Sequence, residues 1–429
     1  MIRKNLGIPS ENERKSWGTA MHQFWPYIIM LRLTGTHPIS TTKIPKKNAL
    51  PTISLGFNIL SPVTIYSIVV SSGSFYMFVV MILNWAFQIY WPQKLFYMDA
   101  LIFKPIRQNS TGVIVTKLYL ISNCLFPFIR IVVILIQVIN FIPITYHVDA
   151  MVRLYADLRQ YCKNRDQILK LNIRKNIFYN FLFFVGLPWF SSVPLMAVTV
   201  ATGRITPLRF SNVPVALVFF IQTFCCFWED ADLHIQCDVV TQFYHQIETI
   251  IVQTRQDLTS DSSIELIQVR VWHHFLHRNR QICRQIGKVT KIPQLLSIMT
   301  LIFNSIIYMY SVIETFALES YTSDKDILIA ATGSLVFGLI LLYAKAVRAE
   351  CVTKTEARLN EALFSLTNYA KSPEVQLELK EMQSTMTESP IGISFGNYTK
   401  LTQGIFLTVS TQVVTYLIVL LQFEKARCP

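Results

Sequence analysis

The sequence contains several long runs without a charged residue, and these runs limit the possible folds more than any other feature. No Asp, Glu, Lys or Arg lies between Lys47 and Lys94. A helix of ~20 apolar residues crosses the ~30 Å hydrocarbon core of a bilayer. Because 52% of the residues are hydrophobic and the mean hydropathy is +0.38, we expect an all-α integral membrane protein.

Seven of these runs are long enough to be transmembrane helices. The first is predicted to be one long helix, kinked near Pro62 and followed by an amphipathic stretch at 84–93; a helical hairpin that turns at Ser71–Ser74 is the alternative. The predicted spans lie near 52–83, 114–143, 177–202, 210–234, 293–317, 327–347 and 401–423.

The positive charges predict which way the chain is inserted. Lys and Arg together number eight in residues 1–50 and seven in each of the segments 144–176, 235–292 and 345–400, but only two in 203–209. Positive loops stay in the cytosol, so we expect an intracellular N-terminus and an extracellular C-terminus. Receptors that couple to G proteins have the opposite orientation. In this scheme Asn109, within Asn-Ser-Thr, is a candidate glycosylation site outside the cell.

The long polar loops are predicted to be helical extensions of the fourth, fifth and sixth spans. Val240, Phe243, Ile247 and Ile251 form one apolar stripe of a helix, and such stripes must be buried against each other or against other subunits. The expected organisation is a cytosolic segment at 1–50, helices 1–4 at 51–234, a cytosolic extension at 235–292, helices 5–6 at 293–347, a cytosolic helical segment at 348–400, helix 7 at 401–423 and an extracellular tail at 424–429.

Two clusters of ionisable residues have competing interpretations. His273, His274 and His277 contain an i, i+4 pair that fits a metal site, but a solvated basic helix face is favoured, and no metal or catalytic role is assigned. Glu229, Asp230 and Asp232 end the fourth span. They suit either an acidic rim that attracts cations or, in the favoured interpretation, ion pairs with nearby Lys or Arg.

Arg130 is a charge inside the second span, where charges are costly and face a partner or a wet cavity. Pairing with a carboxylate such as Glu314, or with backbone carbonyls, competes with contact to a ligand.

Polar and aromatic residues in the outer halves of the second to sixth spans have no obvious role against lipid. Together they suggest a ligand pocket between helices, although each one alone also fits helix packing. The candidates are Tyr119, Asn123, Trp189, Ser192, Phe220, Gln222, Asn304, Tyr308 and Thr332.

The last span places polar residues at both ends of an aliphatic face. Thr415, Ile418, Val419 and Gln422 lie along one side of a helix. This face suits a narrow conduit with a hydrophobic constriction and a polar mouth. Hydrogen bonds between helices are an equally good explanation from these residues alone.

The segment Thr415–Phe423 resembles the Thr-Tyr-(five apolar)-Gln-Phe ending of the insect gustatory receptors at all four fixed positions. Pro26, Arg32, Gly35 and Pro38 are similar to that family's looser Pro…Arg…Gly…Pro element. The similarity extends to the length, the seven spans, the inverted topology and the long cytosolic helices.

The resemblance implies a fold shared with insect odorant receptors, a homo- or hetero-tetramer around one cation pore, and a tastant site in the outer half of each subunit. It puts Thr415, Tyr416, Gln422 and Phe423 on the pore helix, with Gln422 at or near the gate. Ile418 and Val419 complete the predicted pore and gate set.

Leu417 stands where sugar receptors of this family tend to have Glu, which argues against the main sugar branch. The expected function is therefore a tastant-gated, non-selective cation channel subunit of the plasma membrane, with a bitter or plant-derived tastant. A fructose-type or carbon-dioxide-type receptor and a small-molecule transporter are the alternatives. No enzyme activity, cofactor or nucleic-acid partner is expected; the expected partners are a tastant, lipids and related subunits.

Overall fold

The chain is described by a computed structural model, which is predominantly helical. The described residues are 11–34, 39–46, 49–90, 128–186, 213–258, 263–317, 325–395 and 400–425. The helices, numbered in chain order, are α1 (Glu11–Leu33), α2 (Pro62–Tyr90), α3 (Phe128–Ile139), α4 (Phe141–Asn164), α5 (Ile173–Phe181), α6 (Val213–Asp257), α7 (Leu266–Ala317), α8 (Lys325–Phe364), α9 (Pro373–Glu388) and α10 (Gln403–Lys425).

Three helices are far longer than a bilayer requires. α6, α7 and α8 contain 45, 52 and 40 residues, which corresponds to about 60–78 Å at 1.5 Å per residue. Each continues a predicted span into a polar segment without a break, as the sequence predicts for the fourth, fifth and sixth spans. The apolar stripe from Val240 to Ile251 is fully buried.

These extensions pack into one bundle with a single hydrophobic core. α6 lies against α7 and α8, α4 lies against α1 and α7, and α9 covers α7 and α8. Val240, Phe243 and Trp272 are among the core residues that are fully buried. Buried apolar area of this extent is the main source of stability for helices of this kind, so the bundle forms a firm base for the apolar ends of the same helices.

A two-stranded hairpin precedes α2 and departs from the helical pattern of the described residues. β1 (Ser40–Lys46) pairs antiparallel with β2 (Ala49–Gly56), and Lys43 lies opposite Ile53. The strands are rich in Thr and Ile, which favour extended backbone. The prediction that the first span begins near residue 52 is therefore wrong at its start.

α2 begins at Pro62, so this proline is the first residue of the helix and not a kink within it. The Ser61 hydroxyl accepts a hydrogen bond from the Thr64 N–H over 3.1 Å, which caps the helix, and proline suits this first position because its missing N–H would have no helical partner. α2 then continues unbroken through Ser71–Ser74 to Tyr90, which excludes the hairpin alternative.

The second predicted span is bent. α3 and α4 meet at Asn140 at an angle of 61°, and Pro143 in the first turn of α4 cannot donate to the α3 ladder. α4 then extends to Asn164 as a further polar helix, where the sequence predicts a loop over 144–176. The third predicted span begins with α5 and a π-helical turn at Leu182–Gly186, and its remainder lies outside the described residues.

Within the described residues, one helical stretch, Leu266–Phe303, is by itself long and apolar enough to cross a membrane. The bent pair α3–α4 is a second candidate if it counts as one span, and Gln403–Val419 is a shorter apolar stretch. The count of seven spans therefore rests on the sequence pattern and on the comparisons reported below. The described helices account for some of the seven.

Candidate functional site

α10 rests on α7 and α8 through one narrow apolar face. Val409, Val413 and Leu417 follow each other at four-residue intervals and are all buried. Phe406, near the start of the helix, makes an edge contact with Tyr343 of α8, with 5.6 Å between ring centroids. This spacing puts the three buried residues on one side of the helix, which fixes its rotation relative to the rest of the subunit.

The opposite side of α10 carries a mostly polar row that we call the exposed column: Thr408, Thr411, Thr415, Ile418 and Gln422. These residues alternate intervals of three and four, and all five are exposed. At ~100° per residue the column is centred about 180° from Val413, and it is ~21 Å long at 1.5 Å per residue.

The predicted pore residues are distributed over this exposed side. Thr415, Ile418 and Gln422 belong to the column, while Tyr416 and Val419 flank it with exposed fractions of 52% and 38%. Phe423 lies in α10, but its side chain is outside the described part of the structure. The sequence prediction missed Thr408 and Thr411. The available signal was the three-residue interval from Thr408 to Thr411 and the four-residue interval from Thr411 to Thr415.

The start of α10 is fixed by α8. The Gln403 N–H donates to the Glu350 carboxylate over 3.0 Å, and the same carboxylate forms an ion pair of 2.8 Å with Lys354. These contacts lower the pKa of Glu350, with the bond from Lys354 as the larger cause. A carboxylate at a helix N-terminus is stabilising because it satisfies a free N–H and faces the positive end of the dipole.

The segment before α10 also touches α7 closely. A Cβ at Gly287 would lie 2.5 Å from the Ser394 carbonyl oxygen, so any other residue there would displace the backbone that leads into α10. Both contacts tie the helical bundle to the first turn of the last helix.

Arg130 is paired, as one of its two predicted roles requires, and the partner in the described part of the structure is Glu229; the side chain of Glu314 lies outside that part. The guanidinium of Arg130 on α3 lies 3.0 Å from the Glu229 carboxylate on α6, and Gln137 donates to the same carboxylate over 2.7 Å. Both charged side chains are largely buried, with 17% and 13% exposed. The pair therefore joins the second span to the fourth.

The other two acids of this cluster are also engaged inside the subunit. Lys345 of α8 donates to Asp230 and, over 3.1 Å, to the Gln294 side chain of α7. Asp232 accepts a hydrogen bond of 2.6 Å from the Tyr27 hydroxyl of α1. Ion pairing, the favoured interpretation, is confirmed for Glu229 and Asp230. Asp232 is instead hydrogen-bonded to a tyrosine. The alternative of an acidic rim is therefore not supported.

A buried ion pair lies deeper in the bundle. Arg280 of α7 is 2.9 Å from Glu356 of α8, and only 3% and 2% of the two side chains are exposed. Glu356 also accepts from the Ile391 N–H over 2.7 Å and from the Tyr244 hydroxyl over 3.3 Å. Burial raises the pKa of Glu356, and the Ile391 N–H and Arg280 oppose this shift.

The histidine cluster does not converge on one point. His273 lies 2.6 Å from the Glu378 carboxylate of α9, and His277 is 2.9 Å from the Gln281 amide nitrogen. His274 is an exposed residue whose pKa is lowered, mainly by partial burial. Within the described residues, no group of three or more His, Cys, Asp or Glu has the arrangement of a metal site.

The predicted ligand pocket remains a prediction. Tyr119, Asn123, Trp189, Ser192 and the glycosylation candidate Asn109 lie outside the described residues. The five other candidates lie in described helices, but their side chains are outside the described part: Phe220 and Gln222 in α6, Asn304 and Tyr308 in α7, and Thr332 in α8.

Comparison with known proteins identifies the class of this chain. The sequence model of the family described as 7tm Chemosensory receptor matches residues 118–427. The chain therefore belongs to the seven-transmembrane chemosensory receptor family, which is a receptor family and not an enzyme family. It follows that this is a multi-pass membrane protein.

Solved structures show the same fold. The insect olfactory receptor OR5 from Machilis hrabei, in complex with eugenol, superposes with a TM-score of 0.58 at 12% identity, covering 95% of this chain and 99% of the receptor. A second structure of OR5, described without eugenol, gives 0.57 with the same identity and coverage. Comparison with curated protein sequences gives no significant match. The predicted resemblance is thus confirmed for the chemosensory superfamily and for its seven-helix fold.

Proposed function

We propose that this chain is a subunit of a tastant-gated, non-selective cation channel in the plasma membrane, and that the last helix from each of four subunits lines one pore. The observation that carries this proposal is the exposed column of α10. A helix that only filled space against its own subunit or lipid would have an apolar outer side, whereas this side carries three threonines and a glutamine.

The order of residues along the column fits a pore with a gate. The extracellular end is Gln422, the next residue inward is Ile418, and threonines occupy the remaining length. Hydrophobic constrictions close a pore by dewetting, and polar rings support ion passage. We therefore assign the constriction to Ile418 and Val419 and the polar mouth to Gln422, with Tyr416 and Phe423 next to neighbouring helices.

The spacing of the column supports an assembly around an axis. Alternating intervals of three and four residues keep one face of a helix directed toward its partners over several turns. Apolar residues on both sides of the column, including Val414 and Tyr416, are exposed in the single subunit. In the proposed tetramer these flanks contact lipid or the last helices of the neighbouring subunits.

The ligand is proposed to be a bitter or plant-derived tastant that binds in the outer half of each subunit. Support comes from OR5, whose solved complex contains eugenol, a small organic molecule, and from Leu417, which departs from the sugar-receptor pattern. Binding favours the open state only if the open state binds the tastant more tightly.

The pore assignment predicts that Gln422→Ala and Val419→Ala alter gating or permeation while the channel still reaches the cell surface. Both residues are exposed in the subunit, so truncation should not disturb its packing. Whole-cell currents evoked by a tastant panel, together with surface biotinylation, measure the two effects. Val414→Ala, on the flank of the helix, is the matched control. Currents that match those of the wild type in both variants would refute the assignment.

The pocket assignment predicts a different phenotype for Trp189→Ala and Tyr308→Ala. Loss of an aromatic contact should shift the tastant concentration for half-maximal current by roughly tenfold, equivalent to about 1.4 kcal/mol, without altering ion selectivity. Dose–response curves measure the potency of the tastant, and reversal potentials measure the ion selectivity. A change in selectivity with unchanged potency would mean that these residues do not form the tastant site.

A further inference from the structure

Two threonines of the exposed column have their hydroxyl protons engaged within α10. The Thr408 hydroxyl donates to the Gly404 carbonyl over 3.0 Å, and the Thr415 hydroxyl donates to the Thr411 carbonyl over 2.8 Å. Both acceptors are in the preceding turn of the same helix. Neither bond involves another element, so both oxygens remain at the exposed surface.

This bonding pattern determines which ions the two side chains are able to bind. A threonine hydroxyl has one O–H donor and two acceptor lone pairs. With the donor directed back to the helix, the oxygen presents lone pairs alone to whatever lies beside the column. Cations are coordinated by such oxygens, whereas an anion requires donors that point toward it.

The two hydroxyls are seven residues apart, or about 10.5 Å along the helix. They lie on the same side, since seven residues make almost two full turns. Neither position bears a charge, and this matters because conduction requires binding that is favourable enough for entry yet weak enough for release. Two weak, separated oxygen sites meet this requirement better than a ring of carboxylates would.

We propose that Thr408 and Thr415 form two rings of hydroxyl oxygens that coordinate monovalent cations in passage and exclude anions. This inference rests on the proposed function, because the rings exist only if the last helices surround a pore. It goes further in naming the atoms that discriminate cation from anion.

The test removes the oxygens while keeping the shape of the side chain. Thr415→Val and Thr408→Val replace each hydroxyl by a methyl group, and Thr415→Ser keeps the hydroxyl as the matched control. Ser410→Ala removes a hydroxyl from the same helix about 140° away from Thr415. Reversal potentials under a NaCl gradient and single-channel conductance are measured for each variant, with surface biotinylation to confirm expression.

We expect both valine variants to lower the sodium-to-chloride permeability ratio or the conductance by roughly threefold or more, since every subunit loses one coordinating oxygen. Thr415→Ser and Ser410→Ala should behave as the wild type. Normal selectivity and conductance in both valine variants would overturn the inference. If one valine variant does not reach the surface, the other, two turns away, provides the same test.

Failure of this inference is distinguishable from failure of the proposed function. A wild-type channel that conducts cations, with valine variants that do the same, refutes only the hydroxyl rings. A wild-type chain that reaches the surface but carries no current with any tastant of the panel, alone or with a related receptor subunit, contradicts the channel itself and the rings with it.

Discussion

α6 and α10 both contain polar residues in helical segments that are otherwise apolar, but they place them in opposite environments. On α6, Glu229, Asp230 and Asp232 each bind a side chain from another helix of the same subunit. On α10, the hydroxyls of Thr408 and Thr415 donate to the backbone of their own helix, and both residues remain exposed.

This contrast distinguishes polar residues that stabilise the fold from polar residues that the fold does not need. A buried carboxylate without a partner is expensive, so the acids of α6 require Arg130, Lys345 and Tyr27. An exposed hydroxyl that is hydrogen-bonded to the backbone of its own helix needs no partner from another element. The exposed positions on α10 are therefore available for the permeation role that we propose, whereas the polar positions of the bundle are constrained by stability.

The largest expected effect is at the buried pair in the bundle. Glu356→Ala leaves Arg280 charged and buried and removes the acceptor for the Ile391 N–H, which should lower stability by about 3–5 kcal/mol. Thermal unfolding of the detergent-solubilised protein measures the loss. Lys354→Ala, at a side chain that is 59% exposed, should leave the unfolding temperature close to that of the wild type, because solvent screens an exposed ion pair. Equal losses for Glu356→Ala and Lys354→Ala would contradict the view that buried polar residues stabilise this fold and exposed ones do not.

A smaller loss is expected at the pair that joins the second and fourth spans. Glu229→Gln removes the carboxylate that lies 3.0 Å from the Arg130 guanidinium and should cost roughly 2–3 kcal/mol, somewhat less than the change at the fully buried pair. The double variant R130Q/E229Q removes both charges of the pair and should recover part of the loss, so that its loss is smaller than the sum of the losses of Glu229→Gln and Arg130→Gln. A double variant whose loss equals the sum of the two single losses would mean that the residues act independently.

The smallest effect on stability is expected for the exposed column. Thr415→Val and Thr411→Val alter only an exposed side of α10, so stability should stay within ~0.5 kcal/mol of the wild type. The same unfolding assay measures this. A loss above 2 kcal/mol would show that these hydroxyls serve the fold, and the distinction between the two helices would disappear.

Sequence patterns predicted the long helices because their signals are local. The stripe of Val240, Phe243, Ile247 and Ile251 is buried along its whole length, and the polar segments after the fourth and before the fifth span continue as helix. The starts of α2 and α4 also had local signals, in Ser61–Pro62 and in Pro143. The uncharged runs do not reveal these helix starts, because proline and serine carry no charge and so do not interrupt a run.

Partners across the bundle were not predictable in the same way. The sequence indicates that Arg130 needs a counter-charge, but Glu229 lies 99 residues away, and only the folded arrangement of α3 and α6 brings the two side chains together. The orientation of the last helix also depends on tertiary packing. Periodicity groups Thr415, Ile418 and Gln422 on one face, but the burial of Val413 and Leu417 is needed to determine that this face points away from the subunit.

Cysteine accessibility along α10 tests the pore most directly. Single cysteines would be introduced at Thr411, Thr415, Ile418 and Gln422 of the column and at Val409, Val413 and Leu417 of the buried face, and treated with a membrane-impermeant cationic thiol reagent while a tastant opens the channel. The account predicts that modification blocks current at the column positions and spares both the buried positions and the wild type. Block at the buried face, or none along the column, would contradict a pore lined by this side of α10.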